Sequence, residues 1–189
     1  MLTVLYDACV LYPATLRDLL IELAYSKRFQ ARWSWQIHDE WVRNLLVHRP
    51  DLTRDSLERT IQNMNRAVPS CLVTDFEDLI PKLTLPDAND RHVLAAAIKG
   101  QADYIVTFNL RDFPKTHLEP HGIEAIHPDE FIVGLIQSNK NLVLSAFRNT
   151  RLRLKNPVRS VDEQLERFSA QGLPQSMALL EKDKELIYA

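Results

Sequence analysis

Four carboxylates spread along the chain have the types and flanking sequence to do chemistry together: Asp7, Glu40, Asp90 and Asp112. Asp7 follows the apolar run LTVLY directly, and a carboxylate ending a buried strand is costly to desolvate unless something compensates it. Alone, Asp7 reads equally as a helix cap or as a cation ligand, and Glu40, between Ile37 and Trp41, reads as a surface glutamate. Asp90 opens the small-residue segment RHVLAAAI, and Asp87, three residues earlier, is available as its cap. Asp112 and Asn109 follow YIVTF, where both also suit a turn. Acids that converge without a matching lysine or arginine repel one another, and a divalent cation resolves the repulsion. The donors are all oxygen, there is no HExxH, and Cys9 and Cys71 lack zinc spacing, which points to Mg2+ with Mn2+ also accepted. Such a centre suits hydrolysis of a phosphodiester by activated water in an in-line displacement, with no covalently attached side chain.

The elements that must position these acids follow from periodicity. Leu2–Tyr6 reads as a buried strand, and Leu16, Leu19, Leu20, Leu23 and Ala24 recur at helical spacing after Pro13. Phe29–Trp33 is a short β-capable run. Ser34 can cap a helix whose stripe of Ile37, Trp41 and Leu45 carries Glu40, and Asp51–Met64 is a further amphipathic helix. Cys71–Val73 reads as a short strand. The helix opened by Asp90 ends at Gly100; Tyr104–Phe108 is a second central strand, Ile123–Ile126 a last one, and Asp129–Ile136 a short helix. Strands alternating with helices predict an α/β fold, a three-layer α/β/α sandwich on a mainly parallel sheet. In such sheets the ligand crevice lies beyond the carboxyl ends of the strands, where Asp7 and the Asn109–Asp112 loop fall. Residues 1–136 form that unit. Residues 137–189 read as a helical extension, with helices at Leu142–Phe147, Val161–Phe168 and Met177–Leu180.

A chain of 189 residues, 46% hydrophobic and 25% charged, can bury a substantial core and needs no disorder. A net charge of -2 excludes a role as a non-specific coat on duplex nucleic acid. Two cysteines make no disulfide framework and fit a reducing compartment. No apolar stretch approaches a membrane span and the amino terminus turns acidic too early for a secretory signal, so the expected location is the cytoplasm.

With VLYDACVLYP, IHDEW, DRHVLAAAI and VTFNLRDF in this order, the chain resembles the PIN-domain ribonucleases, and more narrowly the VapC-like toxins of bacterial toxin–antitoxin systems. Residue by residue, the resemblance assigns Asp7, Glu40 and Asp90 to the three central metal-binding acids and Asp112 to the acid that completes many toxin-like sites. Asn109 takes an earlier loop position, and Thr107 takes the threonine whose hydroxyl steadies the first acid. It implies an Mg2+- or Mn2+-dependent endoribonuclease, an antitoxin protein whose segment lies across the acidic groove, and a homodimer. It extends over about Leu2 to Ile136. One departure is Cys9, which stands where the family pattern has Asn or Ser and leaves a weaker hydrogen-bond donor.

The substrate's place is less marked. Between Gln137 and Ser160 lie six basic residues, Lys140, Arg148, Arg151, Arg153, Lys155 and Arg159, and no acidic one. This run reads equally as a solvated face or as a patch that holds RNA phosphates. Arg43 and Arg91 are further phosphate-contact candidates. Trp41 follows the core stripe, whereas Trp33 and Trp35 read either as core or as platforms for a stacked base. His38 and His92 neighbour the acids and are candidates for leaving-group protonation. Two other functions compete. A haloacid dehalogenase-like phosphatase would need Asp7 as a covalent nucleophile, and a catalytically silent binding module would use the acids only to hold a partner's arginines.

Overall fold

The structure is a computed structural model and describes residues 1–188. Its centre is a four-stranded sheet of order β2-β1-β3-β4, built from β1 (Thr3–Tyr6), β2 (Gln30–Arg32), β3 (Tyr104–Val106) and β4 (Glu124–Ile126). All three pairings are parallel, with Val4, Leu5 and Tyr6 opposite Tyr104, Ile105 and Val106. The expected α/β sandwich on a parallel sheet is the fold observed. The strands are short because each apolar run is cut by a polar residue that leaves the sheet, Asp7 after β1 and Thr107 after β3.

The helices are α1 (Ala8–Leu11), α2 (Ala14–Tyr25), α3 (Trp35–His48), α4 (Arg54–Ala67), α5 (Arg91–Lys99), α6 (Lys115–Leu118), α7 (Pro128–Arg153), α8 (Val161–Ala170), α9 (Pro174–Glu181) and α10 (Glu185–Tyr188). From β1 the chain moves outward to β2 through α1 and α2, then returns past β1 to β3 through α3, α4 and α5. Right-handed crossovers therefore put these two groups on opposite faces of the sheet. On one face Tyr6 stacks on Trp33, meets Phe131 of α7 edge-on, and donates its hydroxyl to Leu20 of α2. On the other, the fully buried Ala95, Ala96 and Ala97 let α5 lie close to β1 and β3. The connections from β1 and β3 leave in opposite directions, so the crevice between their carboxyl ends is the topological switch point.

One local reading differs from the structure, and one left open is decided. Cys71–Val73 is no strand: Trp33 forms a single parallel bridge at Leu72, with Trp33 N–H donating to the Cys71 carbonyl and Val73 N–H to the Trp33 carbonyl. Pro69 and the left-handed Ser70 leave room for no longer pairing. The helix expected over Asp129–Ile136 and the one expected over Leu142–Phe147 are the two halves of α7, which meet at Asn139, whose φ of -159° and ψ of 81° are not helical. The tail elements fold onto this long helix, α9 and α10 against α7 and α8 against α9. Trp33 is core, fully buried and donating its indole N–H to Asn65.

The tail is fastened by a long-range cap. At the start of α9, Leu173 offers no side-chain acceptor. Asp129, in the first turn of α7 and only 2% exposed, supplies it instead, accepting from the backbone N–H of Gln175 at 2.9 Å, the N–H of Ser176 at 2.8 Å and the Ser176 hydroxyl at 2.6 Å. Just before α9, Gly172 takes a φ of +93°, and a Cβ there would stand 3.1 Å from the ring of Phe108. That ring also meets His127 edge-on at 5.2 Å. The tail thus backs the residue that follows Thr107. Among the described residues, no helix is long and apolar enough to cross a membrane.

Candidate active site

At the end of β1, Asp7 keeps the sheet pattern for one more bond, its N–H donating to the Val106 carbonyl at 3.1 Å, and then caps α1. Its side chain is 5% exposed and accepts three hydrogen bonds: Oδ1 accepts from the Ala8 N–H at 2.7 Å, and Oδ2 from the Thr107 hydroxyl at 2.7 Å and the Cys9 thiol at 2.9 Å. Thr107 is fully buried, and its hydroxyl oxygen accepts the N–H of Asn109. Cys9 accepts the Phe108 N–H at 3.3 Å. Burial and then the Asp7 charge push the Cys9 thiol well up, so it keeps its proton and acts as a donor. Burial also raises the Asp7 carboxyl, opposed by the bonds from Cys9 and Thr107 and reinforced by Glu40. The thiol therefore occupies the donor position that an Asn or Ser would fill.

Asp87 and Asp90 divide their tasks. Asp87 accepts the Asn89 N–H at 2.8 Å and so caps the short turn Ala88–Asp90. Asp90, at the start of α5, makes no side-chain capping bond among the described residues. Its carboxyl is raised to about 7, by burial first and then by the charges of Asp7, Asp87, Asp112 and Glu40. Acids delivered by β1, α3, the turn before α5 and the turn Leu110–Asp112 thus act on one another. Glu40, midway along α3, meets His92 Nε2 at 3.2 Å through Oε2, while His92 Nδ1 is buried with no partner among the described residues. Asn109 is exposed, and its carbonyl accepts the Asp112 N–H.

A cavity of about 830 Å³ opens beside these acids, lined by Glu40, Asp87, Asp90 and His92 and extending along α3 to Trp35 and Arg43. The profile of the PIN-domain family matches residues 3–111, more than half of the chain. The chain belongs to the PIN-domain family. A second profile, the VapC50 C-terminal domain, matches residues 128–182 of this PIN-domain protein. A protein named "Putative ribonuclease VapC50", from Mycobacterium tuberculosis (strain ATCC 25618 / H37Rv), is 44% identical over 71 residues, covering 35% of this chain and 41% of the relative. The match therefore spans less than half of that relative's length. No solved structure matches the chain.

The donor chemistry of this PIN domain suits a hard divalent cation: carboxylate oxygens, mutually repelling, with Asp90 unbound to any capping partner. Their spacing is wider than a closed coordination shell. Among the described residues, no group of three His, Cys, Asp or Glu side chains is disposed to hold a metal ion.

The remaining candidates separate. Arg43 is the one lysine or arginine lining the cavity among the described residues, in an exposed 3.5 Å pair with Asp39. Arg91 donates Nε to the Ala88 carbonyl and braces the turn below Asp90. None of Arg148, Arg151, Arg153 and Lys155 lines this cavity among the described residues. Arg153 pairs with Glu22 of α2 at 2.6 Å, Arg151 donates to the Arg159 carbonyl, Arg148 is half-buried on α7 and Lys155 is exposed beyond it. His38 does not face the acids. It is buried, accepts the Trp41 indole N–H at Nδ1, meets Asn65 through Nε2, and is pushed down to about 4 by desolvation, which holds it neutral. Sequence reasoning missed the thiol bond to Asp7 and the pairing of His92 with Glu40.

The Asp90 carboxyl has a consequence for stability without a cation. An acid whose folded pKa is raised keeps its proton in the folded state between 3.8 and about 7. The folded state then binds more protons than the unfolded one, so this group's contribution falls as pH rises across that window. In EDTA, Tm of the wild type relative to Asp90→Asn is therefore expected to drop between pH 4 and pH 7. A wild-type Tm that stays level with, or rises relative to, that of Asp90→Asn as pH increases would refute the assignment.

Proposed function

We propose that this PIN-domain protein is a Mg2+- or Mn2+-dependent endoribonuclease and the toxin of a toxin–antitoxin pair. The observation that carries the reading is the convergence at the switch point of acids from four separate segments, with Asp7 held by Thr107 and Cys9 and Asp90 left uncapped. Asp7, Glu40, Asp90 and Asp112 would hold the cation, which supplies charge for the phosphate oxygens and activates water for attack at phosphorus.

The chain's own residues do the positioning. Thr107 and Cys9 fix Oδ2 of Asp7, and the Ala8 N–H fixes Oδ1, so that carboxylate is set before substrate arrives. Nε2 of His92 orients Glu40. Asp90, raised to about 7, shares its carboxyl between the protonated and ionised forms near neutral pH, and positive charge entering the site would favour the ionised form. Arg43, whose pair with Asp39 is exposed and therefore weak, is free to exchange that partner for a phosphate of the strand. Arg91, Arg148, Arg151, Arg153 and Lys155 lie outside this contact and fit a supporting or solvated role.

The phosphatase alternative commonly needs a second aspartate two residues after the nucleophile, and there this chain has Cys9, whose thiol donates to Asp7 instead. The silent binding module is the second reading, favoured by the wide spacing of the acids. The finer parts of the proposal rest on the resemblance to VapC-like toxins: an antitoxin segment across the acidic cavity and a homodimer. Two free cysteines support the cytoplasm as the location. The kink at Asn139 supports a nuclease unit at 1–136 and a helical extension at 137–189. Purified protein with Mn2+ and mixed single-stranded RNA is expected to cleave internally, and EDTA to stop it. Binding of RNA without cleavage in Mn2+ or Mg2+ would select the binding module.

A further inference from the structure

Of the three tryptophans, Trp33 and Trp41 are fully buried, whereas Trp35 is 48% exposed and lines the cavity that holds Glu40 and Asp90. A half-exposed indole beside a polar cavity offers a free π face to whatever enters that cavity. The ring is held firmly. Trp35 is the first residue of α3, whose start is fixed by Ser34 accepting the Ile37 N–H. It leans on His38 at 5.6 Å, and His38 is itself locked between Trp41 and Asn65. A preset aromatic surface loses little entropy when something stacks on it.

The neighbouring charges decide what can stack there. Around the cavity Asp39, Glu40, Glu77, Asp87 and Asp90 face one arginine, Arg43. A phosphate at the Trp35 end would meet mostly negative charge, whereas a nucleobase is neutral and has a π face. Trp35 precedes Glu40 by five residues, about 7.5 Å along the helix axis at 1.5 Å per residue. That is roughly two steps of a stacked strand at 3.4 Å each. Glu77 lines the same cavity as Trp35, and accepts from Gln36 Nε2 at 2.9 Å and from the Phe76 N–H at 3.0 Å. A carboxylate offers only acceptors, so it favours a base edge with an exocyclic amino group over that of uracil, whose single N3–H lies between two carbonyl oxygens that the carboxylate repels.

We propose that Trp35 is the stacking platform of a base subsite beside the scissile phosphate, and that it takes an unpaired, amino-bearing base such as adenine. This rests on the ribonuclease reading and adds a substrate preference to it. Stacking on an aromatic side chain is sequence-tolerant, so the preference comes from the acidic wall rather than from the ring.

The test uses the full chain and short oligoadenylate and oligouridylate in Mg2+. On an Asp90→Asn background, intended to bind without cleaving, oligoadenylate is expected to quench the exposed part of the tryptophan fluorescence and oligouridylate to bind several-fold more weakly. In the cleaving protein, Trp35→Ala is expected to raise KM about ten-fold or more with kcat little changed, and Trp35→Phe to restore most of the loss. Cleavage by the wild type with unaltered KM in Trp35→Ala overturns the subsite and leaves the nuclease standing. Quenching by oligoadenylate with no cleavage by the wild type supports the subsite and removes the nuclease. A fall in kcat at constant KM assigns Trp35 a structural role and overturns the proposal. Equal affinity for both oligonucleotides overturns the amino-edge preference, and a response only to an arginine-rich peptide makes the cavity a protein-docking surface.

Discussion

Asp90→Asn is expected to lower kcat/KM for RNA cleavage by on the order of 10²–10³-fold, the loss typical of removing one preorganised electrostatic group from a reacting centre. The same substitution is expected to raise Tm in EDTA at neutral pH. Asp90 stands in the field of Asp7, Asp87, Asp112 and Glu40, and its replacement removes one member of a repelling set. Mn2+ should then stabilise the wild type and do little for the variant, because the ion no longer relieves that repulsion. The two readouts move in opposite directions, which separates this outcome from ordinary misfolding. Cleavage within ten-fold of wild type would remove Asp90 from the site. The charge also explains why the fold tolerates the acid: its cost is local, at the rim of the cavity, where the side chain makes no capping bond.

Asp129→Ala is expected to cost about 2–4 kcal/mol of stability, because it strips a buried carboxylate from two backbone N–H groups and a hydroxyl. The hydroxyl of Ser176 has a fallback in the Leu173 carbonyl, at 3.3 Å, but the N–H groups of Gln175 and Ser176 have only this acceptor's position to turn to. For a chain of this size the loss corresponds to a fall in Tm of roughly 5–15 °C. Asp129→Asn, which keeps an acceptor, should lose less. Urea unfolding gives the magnitude, and hydrogen exchange gives the place: the Gln175 and Ser176 amides should lose protection first. A cost under about 1 kcal/mol would mean that the start of α9 finds its donors' partners elsewhere.

These two residues mark where sequence reasoning succeeds and where it stops. The strand ends, the caps at Ser34 and Asp87 and the small face of α5 are local patterns, so the parallel sheet could be read from them. The order of the motifs carried the family. Asp129 looked like a helix-opening acid because its partners lie 47 residues away, and no local pattern at Leu173 announces a cap from another helix. Cys9 looked like a loss because a thiol is a weak donor in general. Its 2.9 Å bond to Asp7 depends on how α1 turns after β1, which residue type alone does not fix. Trp33 and Trp35 are two residues apart with the same immediate neighbour, Ser34; the sheet edge buries the first, and the start of α3 leaves the second half in water.

The long-range cap also sets a clock. A chain made from its amino terminus at about 5–20 residues per second needs roughly 2–10 s to pass from Asp129 to Ser176, 47 residues on. During that interval every acid of the site exists, but Asp129 lacks its donors and Phe108 lacks the backing of Gly172. A newborn molecule therefore passes through a window in which all the clustered acids are present while the loop after Phe108, which carries Asp112, is not yet braced.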